Sequence, residues 1–149
     1  MKKLVILSLF LLAYAGFATD KVNKESILEK EGWKEVYDLY QADPGILDQI
    51  RDKIGDGVHI DVVLAFWCPD SLANIPPFLK IFDSLNDSRI KIDYYSVGRK
   101  SGHYYVDRWK VERVPTFIFY RNGQEIGRIV ENPDEGMAKN ILAILCSLP

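Results

Sequence analysis

The spacing of apolar and polar residues predicts three strand regions. Val58–Phe66 is an almost continuous β-branched and apolar run, which is typical of a strand that is covered on both faces. The run RIKIDYYSV, residues 89–97, is predicted as a second strand. Two further apolar runs flank Asn122-Gly123, a dipeptide that strongly favours a two-residue β-hairpin turn.

Three stretches carry apolar residues at helical spacing. One is predicted over residues 44–54, because Asp43 is a good N-cap and proline is tolerated at the first helical position. A second begins after Cys68 and is expected to kink near Pro76, since proline removes a backbone donor inside a helix. A third is predicted to open at Pro133.

Two stretches are less well defined by their pattern. Lys21–Gln41 mixes charged and apolar residues, and its second half leaves helix and strand open. We treat residues 19–43 as an N-terminal extension that lies over the core. A short helix is expected around Tyr104, Tyr105 and Trp109, whose aromatic rings are interpreted as packing groups.

The order of these elements predicts one α/β domain. Strands alternate with helices, and a hairpin and a final helix follow, which indicates a mixed β-sheet flanked by helices. The chain has 149 residues, of which 48% are hydrophobic, and this is enough for a single hydrophobic core.

The N-terminus has the three-part layout of a secretory signal peptide. Lys2 and Lys3 precede the apolar run Leu4–Leu12, and small residues follow at Ala15 and Ala18. The run is too short for an ordinary membrane span, so we expect cleavage after Ala15 or Ala18 and assign residues 1–18 to the signal peptide. An uncleaved N-terminal anchor is the alternative.

Charge and cysteine content limit the partners and the compartment. Removal of residues 1–18 takes away two of the 19 basic residues and none of the 21 acidic ones, which leaves a formal charge of −4. A mildly acidic exported domain has no electrostatic basis for binding nucleic acid. Export places a protein where disulfides persist, yet Cys68 and Cys146 allow at most one intramolecular bond.

Three features together resemble the thioredoxin superfamily. They are Trp67-Cys68 at the end of a buried strand, Pro76 eight residues after the cysteine, and Val114-Pro115-Thr116 before the hairpin. The resemblance covers roughly residues 44–145 and implies a thioredoxin-like fold for residues 44–149. It also implies a cis peptide bond before Pro115. Within the superfamily, the sequence resembles the exported thioredoxin-like proteins of bacteria, which are periplasmic or extracellular.

The sequence departs from the family pattern at the position of the second cysteine. The usual motif is Cys-x-x-Cys, whereas this chain has Cys68-Pro69-Asp70-Ser71. The family also usually has a buried acidic residue beneath the cysteines. Asp61 lies near that place but does not align cleanly, so we do not assign it the role.

A single thiol at this place could still act as a nucleophile. The start of a helix favours a thiolate, which is the form that attacks a disulfide. Ser71 could donate its hydroxyl to the Cys68 sulfur, whereas the charge of Asp70 opposes a second negative charge. The backbone at Val114, Pro115 and Thr116 is predicted to hold an extended substrate segment beside the thiol.

A mixed disulfide on Cys68 would have to be resolved from outside the chain. Ser71 cannot form a disulfide, and Cys146 is expected about 20 Å away along the last helix, beyond disulfide reach. The predicted partners are exported proteins with thiols or disulfides, together with an external thiol or reductase. The alternative is a non-catalytic module that binds a peptide or partner. A thiol peroxidase is disfavoured because Ala65 stands where relatives of that class have threonine.

Other chemistries find no motif in the sequence. It has no glycine-rich phosphate loop, nucleotide fingerprint or nucleophile elbow, so no cofactor is predicted. Neither His59 nor His103 has a second histidine, cysteine or acidic residue at recognised metal-ligand spacing, so no metal is predicted.

Overall fold

A computed structural model describes residues 19–98 and 108–147 and places ten elements in them. In chain order the elements are β1 (Thr19–Val22), α1 (Lys24–Leu28), α2 (Trp33–Leu39), α3 (Pro44–Lys53), β2 (Val58–Leu64), α4 (Pro69–Leu85), β3 (Lys91–Val97), β4 (Thr116–Arg121), β5 (Gln124–Val130) and α5 (Met137–Cys146). The predicted signal peptide and the segment around Tyr104 lie outside the described residues. Trp109 is described and lies in a turn.

The strands form one mixed sheet in the order β1-β3-β2-β4-β5. β2 lies at the centre, parallel to β3 and antiparallel to β4, and the edge strands β1 and β5 are antiparallel to their neighbours. Every β2 residue except His59 is buried, as the continuous apolar run requires for a strand covered on both faces. The predicted α/β class with a mixed sheet is confirmed.

Alternate residues of β2 enter two apolar clusters because side chains in a strand point to opposite faces. Ile60, Val62 and Leu64 join the larger cluster, which includes buried residues of α3, α4 and α5. Val63 joins the smaller cluster, which includes Cys68, Tyr95, Trp109 and Val114. The candidate thiol therefore packs on the second face of the sheet.

The segment from residue 19 to residue 43 is built into the domain. β1 pairs with β3 in the register Thr19↔Val97, and Lys21 of β1 forms an ion pair with Asp93 of β3 at 2.7 Å. Ile27 of α1 and Trp33 of α2 are buried in the larger cluster. This segment supplies an edge strand and two short helices, and the second half of Lys21–Gln41, where the sequence left helix and strand open, forms α2.

Local sequence signals place α3 and the hairpin. Asp43 accepts a hydrogen bond from the Ile46 backbone N–H at 3.0 Å, and Pro44 is the first helical residue, as predicted. Asn122 and Gly123 have φ angles of 51° and 81° and join β4 to β5, which confirms the predicted turn. Positive φ at both central positions is the requirement of a type I′ turn.

The last helix begins at Met137, so the prediction that it opens at Pro133 is wrong. Gly136 separates the two, with a φ of 90° that is incompatible with a right-handed helix. Pro133 instead lies in a turn, where its carbonyl accepts a hydrogen bond from Gly136 N–H. α4 continues through Pro76 and Pro77, and the kink there stays a prediction.

Within the described part of the chain, no helix combines the length and the apolar character that crossing a membrane requires.

Ile27→Ala should destabilise the whole domain, because Ile27 is fully buried in the larger cluster. We expect the free energy of unfolding to fall by about 2–5 kcal/mol, in a single cooperative transition, measured by denaturant titration. Leu39→Ala is the matched control from the same segment. Leu39 is 73% exposed, so its truncation should change stability little. Equal effects of the two substitutions would contradict the integration of this segment into the core.

Candidate functional site

Cys68 occupies the junction between the central strand and the longest helix. Its backbone is extended, with φ −94° and ψ 122°, and it is the N-cap of α4. Its N–H donates to the Ala65 carbonyl, and its own carbonyl accepts from Leu72 N–H at 3.1 Å. Pro69 occupies the first helical position, where its missing N–H costs nothing. This turn places the thiol at the positive end of the helix.

The thiol lies against the segment before β4. Cys68 Sγ donates a hydrogen bond to the Val114 carbonyl at 3.3 Å, and the Val114–Pro115 peptide bond is cis. Cys68 is 8% exposed, and its side chain makes no capping bond to the N–H groups of α4. The bond to Val114 exists only while the sulfur is protonated. A thiolate at this place must therefore give up the carbonyl and turn toward other donors.

Ser71 has a role other than the predicted one. Its buried Oγ accepts a hydrogen bond from the Ala65 backbone N–H at 3.2 Å, and the described residues show no hydrogen bond between Ser71 and the Cys68 sulfur. β2 ends at Leu64, so the next N–H needs an acceptor outside the sheet, and Ser71 supplies it. Ser71 thus holds the strand-to-helix turn that presents Cys68.

Asp70 belongs to a polar link between α4 and the loop after β5. Its Oδ1 accepts from Asn132 Nδ2 at 3.2 Å, while Asn74 Nδ2 donates to the Asp70 carbonyl at 3.0 Å and to Asn132 Oδ1 at 2.8 Å. Pro69 is exposed beside it, and Trp67 packs partly buried against the smaller cluster. The amides were not singled out by sequence, although Asn74 is a polar residue on the buried face of a helix.

The predicted substrate-binding residues are buried at the level of their side chains. Val114, Pro115 and Thr116 are all buried, and Thr116 Oγ1 donates to the Arg113 carbonyl at 2.7 Å. The Pro115 carbonyl accepts from Glu131 N–H at 2.7 Å. The side chains of this segment pack inside the protein. A substrate would therefore contact the backbone of residues 114–116.

A cleft of about 230 Å³ borders this segment, with Thr116 and Val130 in its lining. Arg113 in its wall is paired with Glu131 at 3.0 Å. Arg128 is paired with Glu125 at 2.6 Å, and this carboxylate hydrogen bond raises the pKa of the Arg128 guanidinium. Both arginines of this cleft therefore already have anionic partners.

The second cysteine takes no part in this site. Cys146 is the last residue of α5 and is exposed, and neither Cys68 nor Cys146 is in a disulfide. The proposed distance between them stays a prediction.

The structure also groups polar residues that sequence analysis treated as isolated. His59 Nε2 lies 3.2 Å from Asp61 Oδ1 and 3.1 Å from Asp93 Oδ2, so the interpretation of His59 as isolated, with no acidic residue at metal-ligand spacing, is wrong. Burial raises the pKa of Asp93, but hydrogen bonds from Lys21 and Lys91 outweigh it and lower that pKa to about 2. Asp61 accepts from Trp109 Nε1 at 2.8 Å. The His-x-Asp spacing within a strand is the signal that was available in the sequence.

A family model and one curated protein both relate this sequence to thioredoxins. A family model described as thioredoxin matches residues 18–142. Thioredoxin H9 of Arabidopsis thaliana is 26% identical over 106 residues, which span 68% of this chain and 71% of that protein.

Solved structures share the fold at low sequence identity. A protein of unknown function from Pseudomonas aeruginosa superposes with a TM-score of 0.60 at 17% identity, covering 76% of this chain and 81% of that one. An HIV epitope-scaffold superposes with a TM-score of 0.59 at 14% identity, covering 79% and 84%. At these identities the likeness concerns the fold alone.

Ser71→Ala should destabilise the protein by about 1–3 kcal/mol, because it leaves the buried Ala65 N–H without an acceptor. Ser84→Ala in the same helix is the control. The Ser84 hydroxyl is exposed and bonds only the Lys80 carbonyl of its own helix, so its loss should have little effect. Thermal or denaturant unfolding measures both, and equal stability of the two variants would contradict the role assigned to Ser71.

Proposed function

We propose that this chain, which belongs to the thioredoxin family, is an exported monothiol protein. In this proposal it exchanges disulfides with other exported proteins through Cys68. One observation carries the proposal. The Cys68 thiol stands at the start of a 17-residue helix, beside the segment that precedes Pro115. A helix N-terminus stabilises an anionic sulfur, and an anionic sulfur attacks disulfides.

The chemistry proceeds in two exchange steps. The Cys68 thiolate attacks one sulfur of a substrate disulfide, the substrate S–S bond breaks, and the other substrate sulfur leaves as a thiolate. Cys68 is then joined to the substrate in a mixed disulfide. A second thiolate must attack this bond to release Cys68.

The source of the second thiolate sets the outcome. If it comes from the same substrate, the disulfides of that substrate are rearranged with no net oxidation or reduction. If it comes from an external thiol or a reductase, the substrate is reduced and the external thiol is oxidised. Ser71 cannot serve, because its oxygen forms no disulfide and already accepts from Ala65 N–H.

Recognition of substrates in this proposal depends on backbone rather than on side chains. The side chains of Val114 and Thr116 are buried, and the arginines of the neighbouring cleft are already ion-paired. An extended segment that adds alongside the backbone of this region would be accepted with little regard to its sequence. Tolerance of this kind suits a protein that acts on several exported substrates.

Export is supported by the N-terminal sequence. Two lysines, an apolar run and small residues at Ala15 and Ala18 form the layout of a cleaved signal. The family match begins at residue 18, beside the second expected cleavage point. We therefore propose a periplasmic or extracellular location in a bacterium, where substrate disulfides persist.

A second function is favoured by the surroundings of the sulfur. Cys68 is 8% exposed and donates its proton to a backbone carbonyl, and both features are typical of a structural thiol. On that basis the protein would bind a peptide or partner near Cys68 and Pro115 without turnover.

Reduction of insulin in the presence of a small thiol separates the two functions. We expect the purified protein to accelerate the reaction, and Cys68→Ser to return the rate to that of the small thiol alone. Cys146→Ser is the matched control and should keep the acceleration, because Cys146 is the exposed last residue of α5. Acceleration that survives in Cys68→Ser would contradict the proposed nucleophile. No acceleration by any variant would favour the binding module.

The rate of Cys68 alkylation against pH, measured in Cys146→Ser, tests the thiolate directly. A rate that reaches half its maximum at about pH 6 or below would show a stabilised thiolate, since helix N-termini produce values in that range. A half-maximum near about pH 8.5, the ordinary thiol value, would contradict the redox proposal. Absence of reaction in the folded protein would do the same and support the binding module.

A further inference from the structure

A histidine and two carboxylates converge on the second face of the sheet. This is the face on which Cys68 also packs, but the group lies further back along β2. His59 and Asp61 are two residues apart on β2, so their side chains leave the strand on the same face. Asp93 lies directly opposite Asp61 in the parallel register of β2 and β3. Strand pairing therefore brings together three side chains that are up to 34 residues apart in sequence.

The distances within this group suit one small metal ion. His59 Nε2 lies 3.2 Å from Asp61 Oδ1 and 3.1 Å from Asp93 Oδ2, and the three side chains each offer one ligand atom within 4.8 Å of the other two. Ligand atoms that bind one zinc-like ion at 2.0–2.2 Å are themselves about 3–3.5 Å apart. The side chains are thus already near the spacing that coordination requires.

One buried oxygen in the group lacks a hydrogen bond. Asp61 is 4% exposed, and its Oδ1 has no hydrogen-bond partner among the described residues, because the geometry toward His59 is not that of a hydrogen bond. Its Oδ2 accepts from Trp109 Nε1 at 2.8 Å. A buried carboxylate oxygen without a partner is costly, and a cation would satisfy it. The Trp109 bond orients the carboxylate so that Oδ1 faces the group, as outer hydrogen bonds do for metal ligands.

Two lysines compete for Asp93 without closing the site. Lys21 Nζ contacts Oδ1 at 2.7 Å, whereas Oδ2 shares a hydrogen bond with His59 Nε2 at 3.1 Å, which an ion bound between these two atoms would replace. Lys91 Nζ lies 3.2 Å from Oδ2, but its side chain is 70% exposed and free to extend into solvent. The side chain of His59 is 34% exposed, which provides a path for an ion to enter from solvent.

We propose that His59 Nε2, Asp61 Oδ1 and Asp93 Oδ2 form a binding site for one divalent transition-metal ion of the zinc type. Imidazole and carboxylate groups are the ligands that such ions take, and a fourth position remains for water. Asp61 precedes Ala65, where the turn to Cys68 begins, by four residues, which is about 13 Å of extended chain. A bound ion would tie β2 to β3 and add to stability. The site does not depend on the redox proposal.

Calorimetric titration with Zn²⁺ tests this site. The background protein carries Cys68→Ser and Cys146→Ser, which removes the thiols as competing zinc ligands. We expect one equivalent of Zn²⁺ to bind and to raise the melting temperature. Asp61→Asn should weaken binding at least tenfold and remove the thermal shift. Its amide oxygen can still accept from Trp109, so the fold should be kept.

Further variants make the result specific. Asp83→Asn is the matched control, because Asp83 is also paired with a lysine, Lys24 at 2.9 Å, but lies on α4. Its zinc affinity should equal that of the background protein. Lys91→Ala should tighten binding severalfold by freeing Asp93 Oδ2. If Asp61→Asn fails to fold, His59→Gln takes its place with the same expected loss. Absence of binding at one equivalent, or unchanged affinity in the folded ligand variant, would overturn the proposal.

Discussion

The register of β2 between its two neighbours is the constraint on which both candidate sites depend. Val63 lies opposite Thr116 of β4, so the chain before β4 comes level with the turn that follows β2. This alignment brings the Val114 carbonyl to the Cys68 sulfur. Two residues before Val63, in the middle of β2, Asp61 lies opposite Asp93 of β3. Because side chains alternate between faces, a slip of one residue would move His59, Asp61 and Val63 to the other face and separate both groups.

The thiol site combines two opposing influences on the same sulfur. The start of α4 favours a negative charge there, whereas the Val114 carbonyl favours the protonated thiol. Asp70 adds a further negative charge, although its Oδ1 accepts a hydrogen bond from Asn132. Exchange chemistry therefore requires the sulfur to leave the carbonyl, and a substrate segment along residues 114–116 is one group that could displace it. Ser71 contributes by holding the turn and not by chemistry.

The smaller apolar cluster connects the thiol with the carboxylate of Asp61 in the middle of β2. Trp109 packs against Tyr95 with ring centroids 4.6 Å apart, and its indole N–H reaches Asp61. Cys68 and Val114 belong to the same cluster. The same face of the sheet therefore carries an apolar end that presents the thiol and a polar end that gathers charged groups.

The sequence by itself determined the features that rest on contacts between near neighbours. Asp43-Pro44 starts α3, Asn122-Gly123 turns the hairpin, and the apolar run from Val58 marks the central strand, since each signal acts within a few residues. Local signals failed where another residue overrode them, as Gly136 does to the helix start expected at Pro133.

Only the tertiary structure decided the rest. The short β1, α1 and α2 are too brief to be stable alone and form because Ile27 and Trp33 enter the core. Ser71 acts as an acceptor because β2 ends at Leu64, which leaves the Ala65 N–H without a partner in the sheet. His59, Asp61 and Asp93 meet only when two strands pair in parallel. Pairing between distant segments sets these positions, and no local pattern of residues encodes it.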